Sequence, residues 1–225
     1  MTMHIVTGAG SGLGRALTQK LVAEGHRVAM MGRTSTKLAA LAERLGDKVL
    51  PITVELSDAE AVHQAFDYAE AWGGAPERVI HCAGVGDFGA LSGQSDDAIL
   101  TMLNSNLSST IWVAREVVRR WGEREVVLAN VLSTAAQVGK SHEAVYCASK
   151  WGMRGFLEAL RQELKGQPVR LINVYPAGIR SAFWAGSDHV DSGGFMSPDE
   201  AAEYLLALLS AKSSCYVSDV TLSRF

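Results

Sequence analysis

Cysteine is scarce: Cys82, Cys147 and Cys215 are the three in 225 residues. They lie in apolar segments rather than turns, and an odd number argues against a disulfide framework and fits a reducing compartment. The six histidines are scattered, with no two-histidine or Cys–His spacing of a metal site, so no metal is expected. No apolar run approaches the roughly eighteen residues that a bilayer-spanning helix needs. A strand pattern already begins at Met3, and the expectation is a cytoplasmic protein without a targeting signal or a membrane partner. Basic charge is not in excess either. With 21 Lys and Arg against 24 Asp and Glu, the net charge is −3, which gives no reason to expect a nucleic-acid partner and leaves small molecules. Repeats, low-complexity stretches and linkers are missing too. The length suits one globular domain over 1–225, large enough to bury roughly 70–75% of its unfolded surface without a staple.

What is present is an alternation of short apolar strands with helical patterns. Met3 to Val6 runs into TGAGSGLG, followed by the helical spacing of Leu13, Leu17 and Leu21. Glycines in such a turn let the backbone approach a pyrophosphate, and the helix start offers free N–H groups and a positive dipole. Arg27 to Met31 reads as a second strand ending in Gly32, Arg33 and Thr34, where a dinucleotide site preferring NAD usually carries a carboxylate. Further strands are expected at Val49 to Leu56, Arg78 to Cys82, Val126 to Leu132, Val169 to Tyr175 and Ser214 to Leu222. Helices are expected at 37–45, 58–72 (capped by Ser57 or Asp58), 95–120, 146–164 and from a Ser197–Glu200 cap to about Ala211. The pattern predicts an α/β protein: a three-layer, doubly wound Rossmann fold with a seven-stranded parallel sheet and helices on both faces.

The chemistry centres on the stretch NVLSTAAQVGKSHEAVYCASK, from Asn130 to Lys150. Tyr146 and Lys150, four apart, share one helix face. An ammonium beside a phenol favours phenolate and should pull the tyrosine pKa from about 10 towards neutrality. Ser133 stands at a strand end, where parallel sheets place their chemistry. The same spacing also marks half-buried aromatics with solvated neighbours, so the rest of the chain must decide. Asn106 sits in a long helix where good helix formers would be expected, either as a helix-surface amide or local bend or for another reason. A loop from 181 to 197 carries Phe183, Trp184, Phe195 and Met196, apolar enough to fold over a ligand or to form a satellite cluster.

The order of these motifs resembles the short-chain dehydrogenase/reductase family over essentially the whole chain. TGAGSGLG is similar to its Thr-Gly-x-x-x-Gly-x-Gly turn, Tyr146 and Lys150 to its Tyr-x-x-x-Lys, and Ser133 and Asn106 stand where its catalytic serine and helix asparagine fall. The resemblance implies a catalytic set of Asn106, Ser133, Tyr146 and Lys150. It also implies cofactor contacts from Gly8, Ser11, Gly12, Leu13 and Gly14, from Arg33 and Thr34, from Glu55 and Leu56, from Ala83 and Gly84, from Tyr146 and Lys150, and from Pro176, Gly178, Ile179 and Ser181. Three departures stand out: His81-Cys82-Ala83-Gly84 replaces Asn-Asn-Ala-Gly, Glu55 replaces an aspartate, and Pro176-Ala177-Gly178 replaces Pro-Gly. The first puts in doubt the amide contacts that tie the fourth strand to its neighbours and to the cofactor.

The implied reaction interconverts a carbonyl and an alcohol with NADP(H), preferred over NAD(H) because Arg33 stands without a carboxylate at the second strand end. Ser133 and Tyr146 would bond the carbonyl oxygen, Lys150 would lower the tyrosine pKa and hold the ribose, and Asn106 would keep a water in line. Ser11 tempers the NADP expectation, since many relatives carry a basic residue at that position. The alternatives are a catalytically silent NADP-binding sensor or scaffold, and an epimerase or dehydratase, a branch with a longer C-terminal part. Apolar residues around the helices at 95–120 and 146–164 predict a homodimer or homotetramer, the helices that relatives pair across a two-fold axis.

Overall fold

The computed structural model describes residues 1–185, 192–209 and 217–223. Part of the loop at 181–197, the expected helix end at Ala211, the expected strand start at Ser214, and Cys215 lie outside the described residues.

Seven strands, β1 (Met3–Thr7), β2 (Arg27–Gly32), β3 (Val49–Thr53), β4 (Arg78–His81), β5 (Val126–Val131), β6 (Val169–Pro176) and β7 (Asp219–Leu222), form one sheet in the order β3-β2-β1-β4-β5-β6-β7. Every pairing is parallel. The order reverses between β1 and β4, and the crevice opened there by the diverging connections is where such sheets bind ligands. Helices α1 (Gly12–Ala23), α2 (Ser35–Leu45) and α7 (Pro198–Leu209) cover one face through Leu17, Leu21, Leu38 and Leu205. Helices α3 (Ala59–Gly73), α4 (Asp96–Met102), α5 (Ser109–Trp121) and α6 (Ala144–Glu163) lie on the other side of the chain's topology, with Phe66, Val113, Trp121 and Leu164 in one core layer and Met153 and Leu157 in an adjoining one. This is the doubly wound Rossmann arrangement that the alternation of patterns predicted.

Boundaries differ for local reasons. β3 stops at Thr53, short of the expected Leu56, because Glu55 turns the chain by accepting from Ser57 N and Ser57 Oγ. Asp58, not Ser57, caps α3, accepting from Glu60 N and Ala61 N. At α7 the side chains of Ser197 and Glu200 each accept the other's backbone N–H, a capping box. The long helix expected over 95–120 is interrupted by a π-helical segment, Leu103–Ser108. The hydroxyls of Ser109 and Thr110 bond the carbonyls of Ser105 and Asn106 there, taking up acceptors that the wider helix leaves over.

A row of polar residues crosses the sheet at one register: Thr7 opposite His81, His81 opposite Asn130, Asn130 opposite Asn173, and Asn173 opposite Asp219. Thr7, His81, Asn130 and Asn173 are all fully buried. Each lies two residues beyond a core residue of the α3/α5 layer, Ile5, Val79, Leu128 and Leu171, and so shares its face.

Candidate active site

The glycine turn is held by close backbone approaches. Gly8 and Gly12 have φ of 67° and 49°, a region that disfavours side chains. A Cβ on Gly14 would stand 2.4 Å from Gly8 O. Ala9 N donates to Met31 O, fastening the turn to β2. The first turn of α1 carries no acidic residue, so its exposed N–H groups and dipole present a positive end.

Two adjoining hollows share Gly8, Ser11, Ala83 and Gly84 and make one cleft along the C-terminal ends of the strands. The first extends past Arg33, Thr34, Glu55 and Leu56; the second past Gly12, Leu13, Ser133, Tyr146, Lys150 and Pro176, and on to Ile179 and Ser181. The cleft thus gathers all the expected site residues except Asn106 and Gly178. Gly178 keeps room for the ring of Phe195, which would lie 2.5 Å from a Cβ there. Lys37, absent from the sequence-based expectation, lines the first hollow, and its Cβ would lie 3.3 Å from a Cβ on Gly10. Its spacing of four from Arg33, across the start of α2, was the available signal. Such a cleft, with a glycine-built bend beside a helix start and cations at one end, fits a dinucleotide with its pyrophosphate at the bend.

In the second hollow, Ser133 Oγ accepts from Ala135 N at 3.1 Å, which leaves its proton to donate. Tyr146 is only 5% exposed. Burial holds its phenol above the ordinary tyrosine range; a hydrogen bond with Ser133 acts the other way, and Glu143 and Cys147 add to the rise. The expected fall towards neutrality is therefore corrected: burial governs the phenol and raises it. The ammonium lies 5.7 Å from the centre of the Tyr146 ring and donates to Val131 O at 3.4 Å. Its own pKa is pushed down to about 8 by burial, partly offset by Cys82. The half-buried Cys82 thiol is in turn pushed up to about 12 by desolvation and stays a neutral wall.

Asn106 does not line the cleft. It is fully buried, accepts from Val85 N at 2.8 Å on Oδ1, and donates from Nδ2 to Val85 O and Ser149 Oγ, each at 2.9 Å. Its amide thus ties the backbone after Gly84 to the residue preceding Lys150. The side chain expected to keep a water in line is engaged in this tie, made possible by the π-helical segment that carries it.

His81 ties the fourth strand to its neighbours where the family has an asparagine. Thr7 Oγ1 accepts from Cys82 N and Ala83 N at 3.2 Å each, so its one proton goes to His81 Nδ1, 2.8 Å away. Ser109 Oγ spends its proton on Ser105 O, leaving it to accept from His81 Nε2, 3.4 Å away. This fixes a neutral imidazole protonated on Nε2. Burial, and then Lys150, push its pKa down to about 3.

Comparison with known proteins places these features in a family. A family profile described as short chain dehydrogenase matches residues 2–190. Carbonyl reductase family member 4 of Danio rerio is 27% identical over 216 residues, 93% of this chain and 91% of that protein. Among solved structures, a short-chain dehydrogenase/reductase from Vibrio parahaemolyticus is 36% identical with a TM-score of 0.88, covering 99% of this chain and 100% of that one. A protein of Aeromonas hydrophila subsp. hydrophila ATCC 7966 assigned to the same family is 51% identical with a TM-score of 0.86, covering 100% and 99%.

Proposed function

The chain belongs to the short-chain dehydrogenase family of oxidoreductases, and from that premise we propose that it interconverts a carbonyl and an alcohol with NADP(H), using Tyr146 as the general acid and base. The observation that carries this reading is the convergence of Ser133, Tyr146 and Lys150 on one wall of a cleft that begins at the glycine turn. The naming of a relative as a carbonyl reductase is in keeping with it.

When bound, the nicotinamide supplies a hydride to the carbonyl carbon. The rest falls to the chain. The Gly8–Gly14 turn and the start of α1 hold the pyrophosphate, and Arg33 and Lys37 hold the adenosine end. Thr34, Glu55, Leu56 and Ala83 enclose it, and Pro176, Ile179 and Ser181 border the nicotinamide end. Ser133 donates to the carbonyl oxygen as charge grows on it. Tyr146 passes its proton from Oη to that oxygen, a step that needs a phenol, and burial keeps the group a phenol. Lys150 binds the ribose and supplies positive charge beside the ring. Asn106 and Gly178 are positioning residues: the first locks the Gly84 strand end to α6, and the second admits Phe195 beside the cleft.

The NADP(H) preference rests on two cations, since Lys37 supplies from α2 what Ser11 does not supply from the turn. The same reading takes the chain as a single domain with a covering segment near 181–197, working in the cytoplasm; among the described residues no helix is long and apolar enough to cross a membrane. It also takes the protein as a homodimer or homotetramer through α4, α5 and α6, where Leu100 and Trp151 are exposed; sedimentation at micromolar concentration measures this, and a 24 kDa species alone would refute it. The catalytic reading is tested by following NADPH absorbance with a panel of aldehydes and ketones. Turnover supports it, and tight NADPH binding without consumption would favour the sensor alternative.

A further inference from the structure

The end of the cleft beyond Tyr146 is walled by aromatic rings from two separate loops. Phe183 and Trp184, after β6, line the hollow beside Tyr146 and Ser133. Phe88, after β4, backs them: it stacks on Trp184 with centroids 5.1 Å apart and planes 15° apart, and meets Tyr146 edge-on at 5.3 Å. Phe183 stands 5.8 Å from Tyr146, and Phe195 meets Trp184 edge-on at 5.2 Å. The indole is also fixed by its Nε1 proton, which goes to Ile179 O at 2.9 Å. The loops bearing these rings are pinned at their bases, Gly89 N to His142 O and Arg180 N to Met196 O. No Cβ fits at Gly86, where the rings of Phe88 and Phe183 would lie 2.4 and 2.7 Å away. The wall is therefore assembled before any substrate arrives, at a position where glycine alone gives it space.

Charge is as telling as shape. Lys150 is the one cation lining this hollow among the described residues, and it is tied to Val131 O. The buried Glu143, three residues before Tyr146 on the way into α6, adds to the rise of the phenol's pKa. A carboxylate or phosphate on the substrate would need a cation to replace its water of hydration. An uncharged flat ring needs only ring faces and edges.

We propose that the substrate is an uncharged aromatic carbonyl compound, an aryl aldehyde, aryl ketone or quinone, whose ring packs on the Phe183–Trp184 wall with its carbonyl oxygen at Ser133 and Tyr146. This rests on the oxidoreductase reading above. In the reaction, NADPH loses a hydride to the carbonyl carbon, Tyr146 gives a proton to the oxygen, and the products are NADP+ and the alcohol, or for a quinone, after tautomerisation, the hydroquinone.

Three matched aldehydes separate the elements of the proposal: benzaldehyde, cyclohexanecarbaldehyde and 4-carboxybenzaldehyde. kcat/KM is expected to be about 10-fold higher for benzaldehyde than for the saturated ring, the order of an aromatic pair's contribution, and lower again for the charged aldehyde. In Trp184→Leu the ratio of kcat/KM for the aromatic over the saturated ring should fall towards one. Independently of turnover, 2-naphthaldehyde should quench tryptophan fluorescence of the parent protein saturably, and less so in Trp184→Leu. NADPH consumption that favours the saturated or the charged aldehyde overturns this inference and leaves the oxidoreductase reading intact. NADPH binding with no aldehyde or ketone reduced overturns both.

Discussion

Arg33 Nη1 lies 4.0 Å from Glu55 Oε2 across the adenosine end of the cleft, so the cation expected to receive a 2′-phosphate already faces a carboxylate. Both side chains are about half exposed, and the pair is weak enough for a doubly charged phosphate to displace it. Arg33→Ala should lower NADPH affinity about 10-fold, the order of one charge-assisted hydrogen bond, and leave NADH affinity nearly unchanged. Glu55→Gln should act in the opposite direction by freeing Arg33. Titrations of both variants with both coenzymes read this out; equal NADPH and NADH affinity in the parent would sink the assignment.

Tyr146→Phe keeps the ring that packs against Phe88 and Phe183 and removes only the proton donor. The protein should fold and bind NADPH, with turnover reduced about 10²- to 10⁴-fold, the usual contribution of a general acid. A melting temperature close to the parent's alongside near-parental turnover would remove Tyr146 from the chemistry.

Two glycines give opposite outcomes on substitution. Gly14→Ala puts a methyl group against Gly8 O, where no flexible side chain can give way, and should cost about 1–3 kcal/mol, as overpacking does, while distorting the turn and weakening NADPH binding. Gly155 is exposed on α6 with open space around it and no positive φ. Gly155→Ala should stabilise by up to about 1 kcal/mol through helix propensity. Urea denaturation of the pair decides; a destabilised Gly155→Ala would place the proposed subunit contact, which takes in Trp151 one turn earlier on α6, against this glycine.

Acid should unfold the protein early. His4 and His81 are both pushed down to about 3, His4 by burial, Arg78 and His26, and His81 by burial and Lys150. The unfolded chain, with histidines near 6.5, binds more protons than the native one between those values. Stability is thus complete above about pH 6.5 and falls as pH drops towards 3, by up to a few kcal/mol per histidine. His81→Asn should make the decline between pH 7 and 4.5 shallower in thermal melts; an unchanged slope would show that His81 is not the group responsible.

The sheet and the catalytic stretch were legible because their signals are local and repeated: apolar strands, a glycine turn opening a helix, and Tyr146 and Lys150 four apart. What could not be read was decided by contacts between distant segments. The i,i+4 spacing brings Lys150 alongside Tyr146 but says nothing of the burial that governs both protons. Asn106 looked out of place in a helix, and its reason, the tie to Val85 and Ser149, requires a π-helical segment that no periodicity announces. His81 looked like the loss of an amide, yet Thr7 and Ser109, 74 and 28 residues away, make it an equivalent bridge. Lys37 was hidden by the expectation that a second cation would sit in the glycine turn itself.

The polar row from Thr7 to Asp219 bears on how the chain finds its alignment. In an all-apolar parallel sheet, strands slipped along one another still bury similar side chains, and little penalises the error. Here a two-residue slip of β4 along β1 would break the Thr7–His81 hydrogen bond, one of β7 along β6 would break Asn173–Asp219, and a one-residue slip would turn such side chains to the opposite layer. The row acts as a set of alignment marks, discriminating against misregistered assemblies during folding and fixing how far each strand end projects towards the cleft.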